Sequence, residues 1–241
     1  MSLAGPAVHF QLCLVLLAAV CLSCGCAAPI KDLTRTQYIN EEFTSQQLQT
    51  GGLALLPIVA GAGQEGYRRP LGDHLNRELP NAVVNAKTIS WQATMESINA
   101  NELVEEYEQI VTGYQKTAIL NRKLVRNIGA SLEVRYALYC SLQDVSERDV
   151  IEYSILFGTS SKTVANVLVH CLVFDLQTGD IVQEIVGTAH SEASEFEYTR
   201  GYESHAQVLA HGVLSQLPGS SVEPIKLERD SQQSWHWGKR E

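Results

Sequence analysis

The chain has 241 residues, 45% hydrophobic and 19% charged, with a formal net charge of −9. That is enough apolar material for the core of one domain, and the acidic balance provides no cationic footprint for nucleic acid, which is excluded as a partner. Four of the six cysteines (Cys13, Cys21, Cys24 and Cys26) fall in the first 26 residues, leaving Cys140 and Cys171 in the body.

The apolar run Leu12–Leu22 is too short to cross a bilayer, which takes about 20 residues, and fits the hydrophobic region of a secretory signal. It ends in Leu22, Ser23, Cys24, Gly25 and Cys26. This arrangement resembles a bacterial lipoprotein signal: a leucine, small residues, then a cysteine that becomes the acylated N-terminus. The resemblance implies acylation (palmitate or similar chains) at Cys26, preceded by Gly25, with Cys24 as the alternative. It also implies a domain held in the periplasm, at the outer membrane in preference to the inner. The leading MSLAGPAVHF departs from the pattern, having no Lys or Arg where a signal is normally basic. An ordinary cleaved signal and a buried core helix are the competing readings. Residues 1–25 are therefore expected to be the signal and 26–50, polar and without a period, a flexible tether.

Gly51 and Gly52 open a first strand from Leu53, LALLPIVAG, apolar enough to be buried on both faces. Gly61, Gly63 and Gly66 follow in a GxGxxG-like spacing. No Lys-Ser/Thr follows and no acidic residue stands near 83–87, so a strand-to-helix turn is preferred to a nucleotide loop. Tyr67, Leu71, Leu75 and Leu79 form a helical stripe ended by Pro80, with Pro70 expected in the first turn. Residues 82–84 read as a short strand. Trp91, Met95 and Ile98 share a face over an ambiguous stretch. Asn99 or Asn101 is expected to cap a helix carrying Leu103, Tyr107, Ile110, Val111 and Tyr114. Leu120, Leu124 and Ile128 mark another helix, closed by Gly129.

At Leu132 the period changes to two. Val134, Tyr136, Leu138, Cys140 and Leu142 point one way, while Arg135, Ala137, Tyr139 and Ser141 point the other, as in a half-buried strand. Residues 143–149 read as a charged loop, 150–157 as a strand extension or hairpin arm, and 158–162 as a turn. Two strands, 164–175 and 181–189, are joined by a hairpin at LQTGD with Gly179 at positive φ. Tyr202, Ala206, Leu209, Val213 and Leu217 form a final helical stripe stopped by Pro218. Residues 219–241 are expected to be a disordered tail.

This order gives a single α/β (α+β) sandwich over 51–218, with a mixed sheet of about five strands, an early βαβ unit, later antiparallel hairpins and helices packed on the sheet. Over roughly residues 51–217 it resembles the small domain of several envelope lipoproteins: the curli-secretion-channel family, the penicillin-binding-protein activators and the N-terminal domain of the Tol-system propeller protein. Cys140 and Cys171 could form one disulfide in an oxidising compartment or remain buried thiols. No HExxH, GxSxG or paired CxxC pattern occurs in the body, so no catalytic residue, metal or cofactor is expected. His74 beside Asp73 reads as a solvated helix face, and His170 as pointing away from its neighbour Cys171. The expectation is a non-enzymatic, lipid-anchored module that binds an envelope protein, with homo-oligomerisation left open. The alternatives are a subunit or accessory component of an oligomeric secretion channel or transport system, and an enzyme with a cryptic site.

Overall fold

A computed structural model describes residues 30–154, 158–194 and 201–223. Cys24 and Cys26, and with them the expected signal, lie outside them, as do residues 224–241. The elements run β1 (Lys31–Ile39), α1 (Ser45–Gly51), β2 (Leu53–Leu55), α2 (Glu65–Ala82), β3 (Thr88–Ile89), α3 (Trp91–Ala100), α4 (Val104–Thr117), α5 (Arg122–Ser131), β4 (Tyr136–Ser154), β5 (Gly158–Asp175), β6 (Asp180–Ser194) and α6 (Gly201–Ser215). The architecture is α/β, with one mixed sheet of six strands in the order β1-β6-β5-β4-β2-β3. β2 is parallel to both β3 and β4, and the remaining pairs are antiparallel.

Helices cover the sheet on both faces, making two cores. On one face α1, α2 and α6 bury Leu48, Leu71, Leu75, Leu79, Leu209 and Val213 against Leu138, Cys140, Val169, Cys171 and Ile185. On the other, α3, α4 and α5 bury Ile98, Ile110, Val125 and Ile128 against Ala54, Ala137, Tyr139, Leu172 and Phe174. The strand expected to be half-buried is thus buried on both faces from Tyr136 to Leu142. The period of two was real, but a helix layer covers its second face too.

The tether expectation for 26–50 is overturned from residue 31 onward, and 26–29 lie outside the described residues. Residues 31–39 form the edge strand β1, antiparallel to β6. Residues 45–51 form α1, whose N-cap Thr44 accepts a bond from Gln47 N. Phe43 and Leu48 from this stretch are buried in the first core. β1 carried no apolar signal because its inward residues are polar and packed against glycine. Thr34 Oγ1 donates to Asp32 Oδ1 at 2.6 Å, and a Cβ on Gly212 of α6 would lie 2.3 Å from Thr34 Oγ1 and 2.6 Å from Asp32 Oδ2. Only glycine lets the strand and helix approach this closely. The described domain therefore reaches back to residue 30, and the sixth strand is the one the sequence concealed.

Other boundaries moved for similar reasons. Residues 82–84 end α2 and turn out of it, and the short strand is β3 at Thr88–Ile89. Pro70 and Pro80 both lie inside α2, beyond the first turn in one case and before the end in the other. Ser90, accepting from Ala93 N at 3.1 Å, caps α3, while Asn99 and Asn101 fall at its end and Leu103 precedes α4. Gly129 lies within α5, where a Cβ would meet Leu176 Cβ at 2.6 Å, so it serves helix–strand approach and not termination. Residues 143–149 and 158–162 are strand, with β4 and β5 paired continuously out to Ser154 and Gly158. The backbone ladder holds this arm together, and its exposed charges gave no apolar period to read. Gly179 has φ 80 in the β5–β6 turn, as its hairpin required. The first tail residues pack on the domain: Ser221 Oγ donates to Asn81 O, and Val222 packs against the core.

Two outcomes follow from β1 and α1. A chain begun at Gly51 loses Phe43 and Leu48 from the core, a cost of about 3–6 kcal/mol at roughly 1.5–3 kcal/mol per buried side chain; its urea midpoint should fall sharply against a chain begun at Ile30. Burial pushes the Asp32 carboxyl above its ordinary value, the Thr34 hydroxyl and His211 pulling the other way. A raised carboxyl contributes stability while protonated and loses it as pH rises through its folded pKa. Asp32→Asn should therefore raise the urea midpoint at pH 7, with the gain fading as pH falls below the ordinary carboxylate range.

Candidate functional site

Helices α4 and α5 cover the second sheet face only over β2, β4 and part of β5. Among the described residues, that face stays open across β5, β6 and β1. Register places Leu33, Thr188 and Leu168 side by side across it, with Tyr38 opposite Glu184 further along. Leu33 is 68% exposed and Tyr38 47%. The α4–α5 connection walls the region with Ile119, 73% exposed. Between them runs an open groove of about 700 Å³, with Tyr38 and Glu184 on the sheet side and Ile119 and Leu120 on the helix side.

A polar cluster sits where the covered and open halves meet. His170 Nε2 lies 2.7 Å from Glu184 Oε1, and the Tyr114 ring stacks on the imidazole at 6.5 Å between centroids. Burial raises the Tyr114 phenol, and the neighbouring Glu184 charge adds to this. Deeper in, burial pushes Tyr139 up to about 12, with the Ser141 hydroxyl opposing and Tyr114 adding. Tyr107, buried beside Tyr139, is also pushed up, and its hydroxyl donates to Pro57 O at 3.1 Å. These phenols remain neutral donors at physiological pH. Tyr107 ties helix α4 to the segment after β2, and Tyr114 packs on the His170 ring at the rim. Leu33, Tyr38, Ile119, Glu184 and Tyr114 were not singled out as a site by the sequence. The one available signal was an apolar Leu33 and a Tyr38-Ile39 pair within a polar stretch.

A second concavity, about 340 Å³, lies beyond the carboxyl ends of β2 and β3, lined by Ile58, Arg68, Arg69, Trp91 and Met95. The helices after β2 and β3 leave on opposite faces of the sheet, so this is a topological switch point, where open α/β sheets place ligands. The glycine spacing beside it is a turn: Gln64 Oε1 accepts from Gly61 N at 2.8 Å, and Gly63 takes φ 81.

Cys140 and Cys171 stand directly opposite each other in the β4–β5 register with Cα atoms 4.1 Å apart, joined as a disulfide. His170 occupies the other sheet face, next to α4. His74 is not on a solvated face: it is 4% exposed, with Nε2 2.7 Å from Glu203 Oε1, and ties α2 to α6, while Asp73 faces Arg69. His205 is buried in α6, and His211 of the same helix faces Asp32. Among the described residues no group of three His, Cys, Asp or Glu is placed to hold a metal, and no helix is long and apolar enough to cross a membrane.

No family model matches the chain, and no curated protein matches it by sequence. Three solved structures are similar in outline. The PelC dodecamer from Paraburkholderia phytofirmans is 13% identical with a TM-score of 0.41, covering 78% of this chain and 99% of that one. A hypothetical protein from Chlamydia trachomatis is 13% identical at 0.43, covering 69% and 97%. A lipoprotein from Neisseria meningitidis is 11% identical at 0.37, covering 64% and 90%. At TM-scores below 0.5 these likenesses are loose, and the functional reading rests on this chain's own residues.

The disulfide closes the outer β4–β5 hairpin, a sequence separation of 31 residues. The chain-entropy relation gives about 3–4 kcal/mol for a loop of that length. Reduction with a thiol should lower the urea midpoint by a corresponding amount, and in denatured protein Cys140 and Cys171 should be alkylated only after reduction, not before it.

Proposed function

We propose that this chain is a lipid-anchored lipoprotein of the bacterial cell envelope, acylated at Cys26, whose domain is a non-enzymatic protein-binding or assembly module. The observation that carries the protein-binding reading is the uncovered half of the second sheet face. Leu33, Tyr38 and Ile119 expose apolar surface there beside the groove, and β1 is an edge of the sheet among the described residues, with one row of backbone N–H and C=O groups facing outward. Exposed apolar surface bordering an open sheet edge costs solubility unless a partner covers it. The anchoring reading rests on the Leu22–Cys26 sequence, which stands five residues from the first strand.

Short spacing between anchor and fold makes the reading specific. A fully extended chain from Cys26 to Lys31 spans at most about 18 Å, so the domain works close to the membrane and its partner must be reachable there. The partner is an envelope protein or a second copy of this chain. The secretion-channel alternative differs in requiring a closed ring.

The test is native mass spectrometry of the full-length protein, made in a Gram-negative host and extracted in mild detergent, with a photo-crosslinker at position 33 or 119. Acyl mass on a protomer beginning at Cys26, and crosslinks from 33 and 119 but not from Glu78 on α2, are expected. An unmodified protomer overturns the anchor. Acylated protein that crosslinks nowhere overturns the binding surface. A large ring selects the channel alternative.

A further inference from the structure

The concavity beyond the carboxyl ends of β2 and β3 is built from three well-tied pieces. The chain leaving β2 is held on both sides. Leu56 N donates to Leu138 O at 2.9 Å and Val59 N to Cys140 O at 3.0 Å, while Pro57 O accepts from Tyr107 Oη at 3.1 Å. This sets the buried Ile58 as one wall. Helix α2 supplies Arg68 and Gly72, and helix α3 supplies Trp91 and Met95. The members of each pair are four residues apart and so share a helix face. The Ser90 cap fixes where α3 begins, with Trp91 as its first residue.

Its chemistry is sorted. Ile58, Trp91 and Met95 make an apolar lining, and the exposed Arg68 and Arg69 stand at the mouth. Arg69 faces Asp73 at 3.7 Å, whereas Arg68 has no carboxylate partner among the described residues. Trp91 Nε1 is shielded from solvent and has no acceptor, although a buried indole N–H normally finds one. It lies over Gly72: a Cβ there would stand 3.4 Å from Trp91 Nε1 and 3.4 Å from Ile58 Cγ1. Glycine is a poor choice inside a helix, and at this position it leaves the floor beneath the indole bare. The volume of about 340 Å³ falls at the lower end of the range for small-molecule sites, about 300–1,000 Å³.

We infer that this concavity binds a small organic carboxylate with a compact apolar body. The apolar part packs against Ile58, Trp91 and Met95, and the carboxylate meets the Arg68 guanidinium, whose planar fork matches two carboxylate oxygens. Indole and thioether surfaces both suit an aromatic ring. The ligand also brings the acceptor that Trp91 Nε1 lacks. In a chain of net charge −9, a free arginine beside an apolar cavity is what turns a generally anion-repelling surface into a local anion site. An inorganic anion would leave the apolar lining unused, and a neutral apolar molecule would leave Arg68 unused. The inference rests on neither the acyl anchor nor the groove beside β1, so each stands or falls alone.

The test is NMR on the full-length protein in mild detergent, labelled with nitrogen-15 in its tryptophans. There are three, and the Trp91 indole signal is the one lost in Trp91→Phe. The protein is titrated with 2-naphthoate, with neutral 2-naphthamide as the control and partition into protein-free micelles subtracted. A saturable shift of the Trp91 signal with naphthoate, and none with the amide, is expected. Arg68→Glu should weaken the apparent Kd about tenfold or more, the scale of a lost charged hydrogen bond. Arg68 is exposed, so the variant keeps the fold; Arg68→Gln replaces it if the spectrum shows otherwise. An unmoved Trp91 signal, an equal response to the amide, or unchanged affinity in the Arg68 variant each overturns the inference. A common shift of all three indoles also overturns it, because the probe then partitions without a site.

Discussion

The β4–β5 ladder is the constraint on which this molecule depends. It pairs Tyr136 with Asp175 at one end and Ser154 with Gly158 at the other, and its inner half is buried on both faces. Cys140 and Cys171 sit opposite each other in that inner half, pointing into the first core. Every other strand is placed by this pair: β2 adds in parallel beside β4, carrying β3, and β6 adds beside β5, carrying β1. Arg135 fixes the far end with two bonds to the nearly buried Asp175 carboxylate, at 3.0 and 2.8 Å. Asp175 Oδ1 also accepts from Gln177 N in the turn that leads to β6, so one carboxylate joins the strand entry to the hairpin that follows.

The two halves of the ladder meet different surroundings. Inside the domain, helices on both faces make the residues at 136–142 uniformly buried. Further out, β4 and β5 continue with β6 alongside as far as Lys162 and Ser194; the β4 side chains there are largely exposed, Val164 and Ala165 of β5 stay buried, and Tyr67 of α2 reaches Glu147. A strand can cross from one regime to the other because its hydrogen bonds are made to its neighbour and not to the layers above and below. The uncovered half of the second face arises in the same way. The helices α3, α4 and α5 enter between β3 and β4, so they cover that side of the sheet, and β6 and β1, added later in the order, receive cover on one face only. The open face and the exposed outer side of β4 are thus two consequences of where helices run out.

The edge strand β1 enters the sheet at a defined position and in a defined direction. Both are set by backbone pairing to β6 and by the close approach of Thr34 to Gly212.

Much of this was legible in advance. Leu71, Leu75 and Leu79 marked α2, Tyr107 and Ile110 marked α4, Ala206, Leu209 and Val213 marked α6, and Gly179 marked the β5–β6 turn, because amphipathic periods and positive-φ glycines are local properties of sequence. The lipoprotein-like cysteine context was equally local. The edge strand β1 was hidden, since polar Asp32, Thr34 and Thr36 face a glycine-lined helix and leave no apolar trace. The charged arm was hidden too, because a ladder satisfied by its neighbour needs no hydrophobic face. The open groove with Leu33, Tyr38 and Ile119 joins segments about eighty residues apart, and the pairing of Cys140 with Cys171 depends on register. By itself the sequence determined the fold class and most of the helices, which follow from short-range pattern. Only the tertiary structure decided which polar segment joined the sheet, which face stayed bare and how far the arm reached, because those follow from the order of strands and the extent of the layers packed on them.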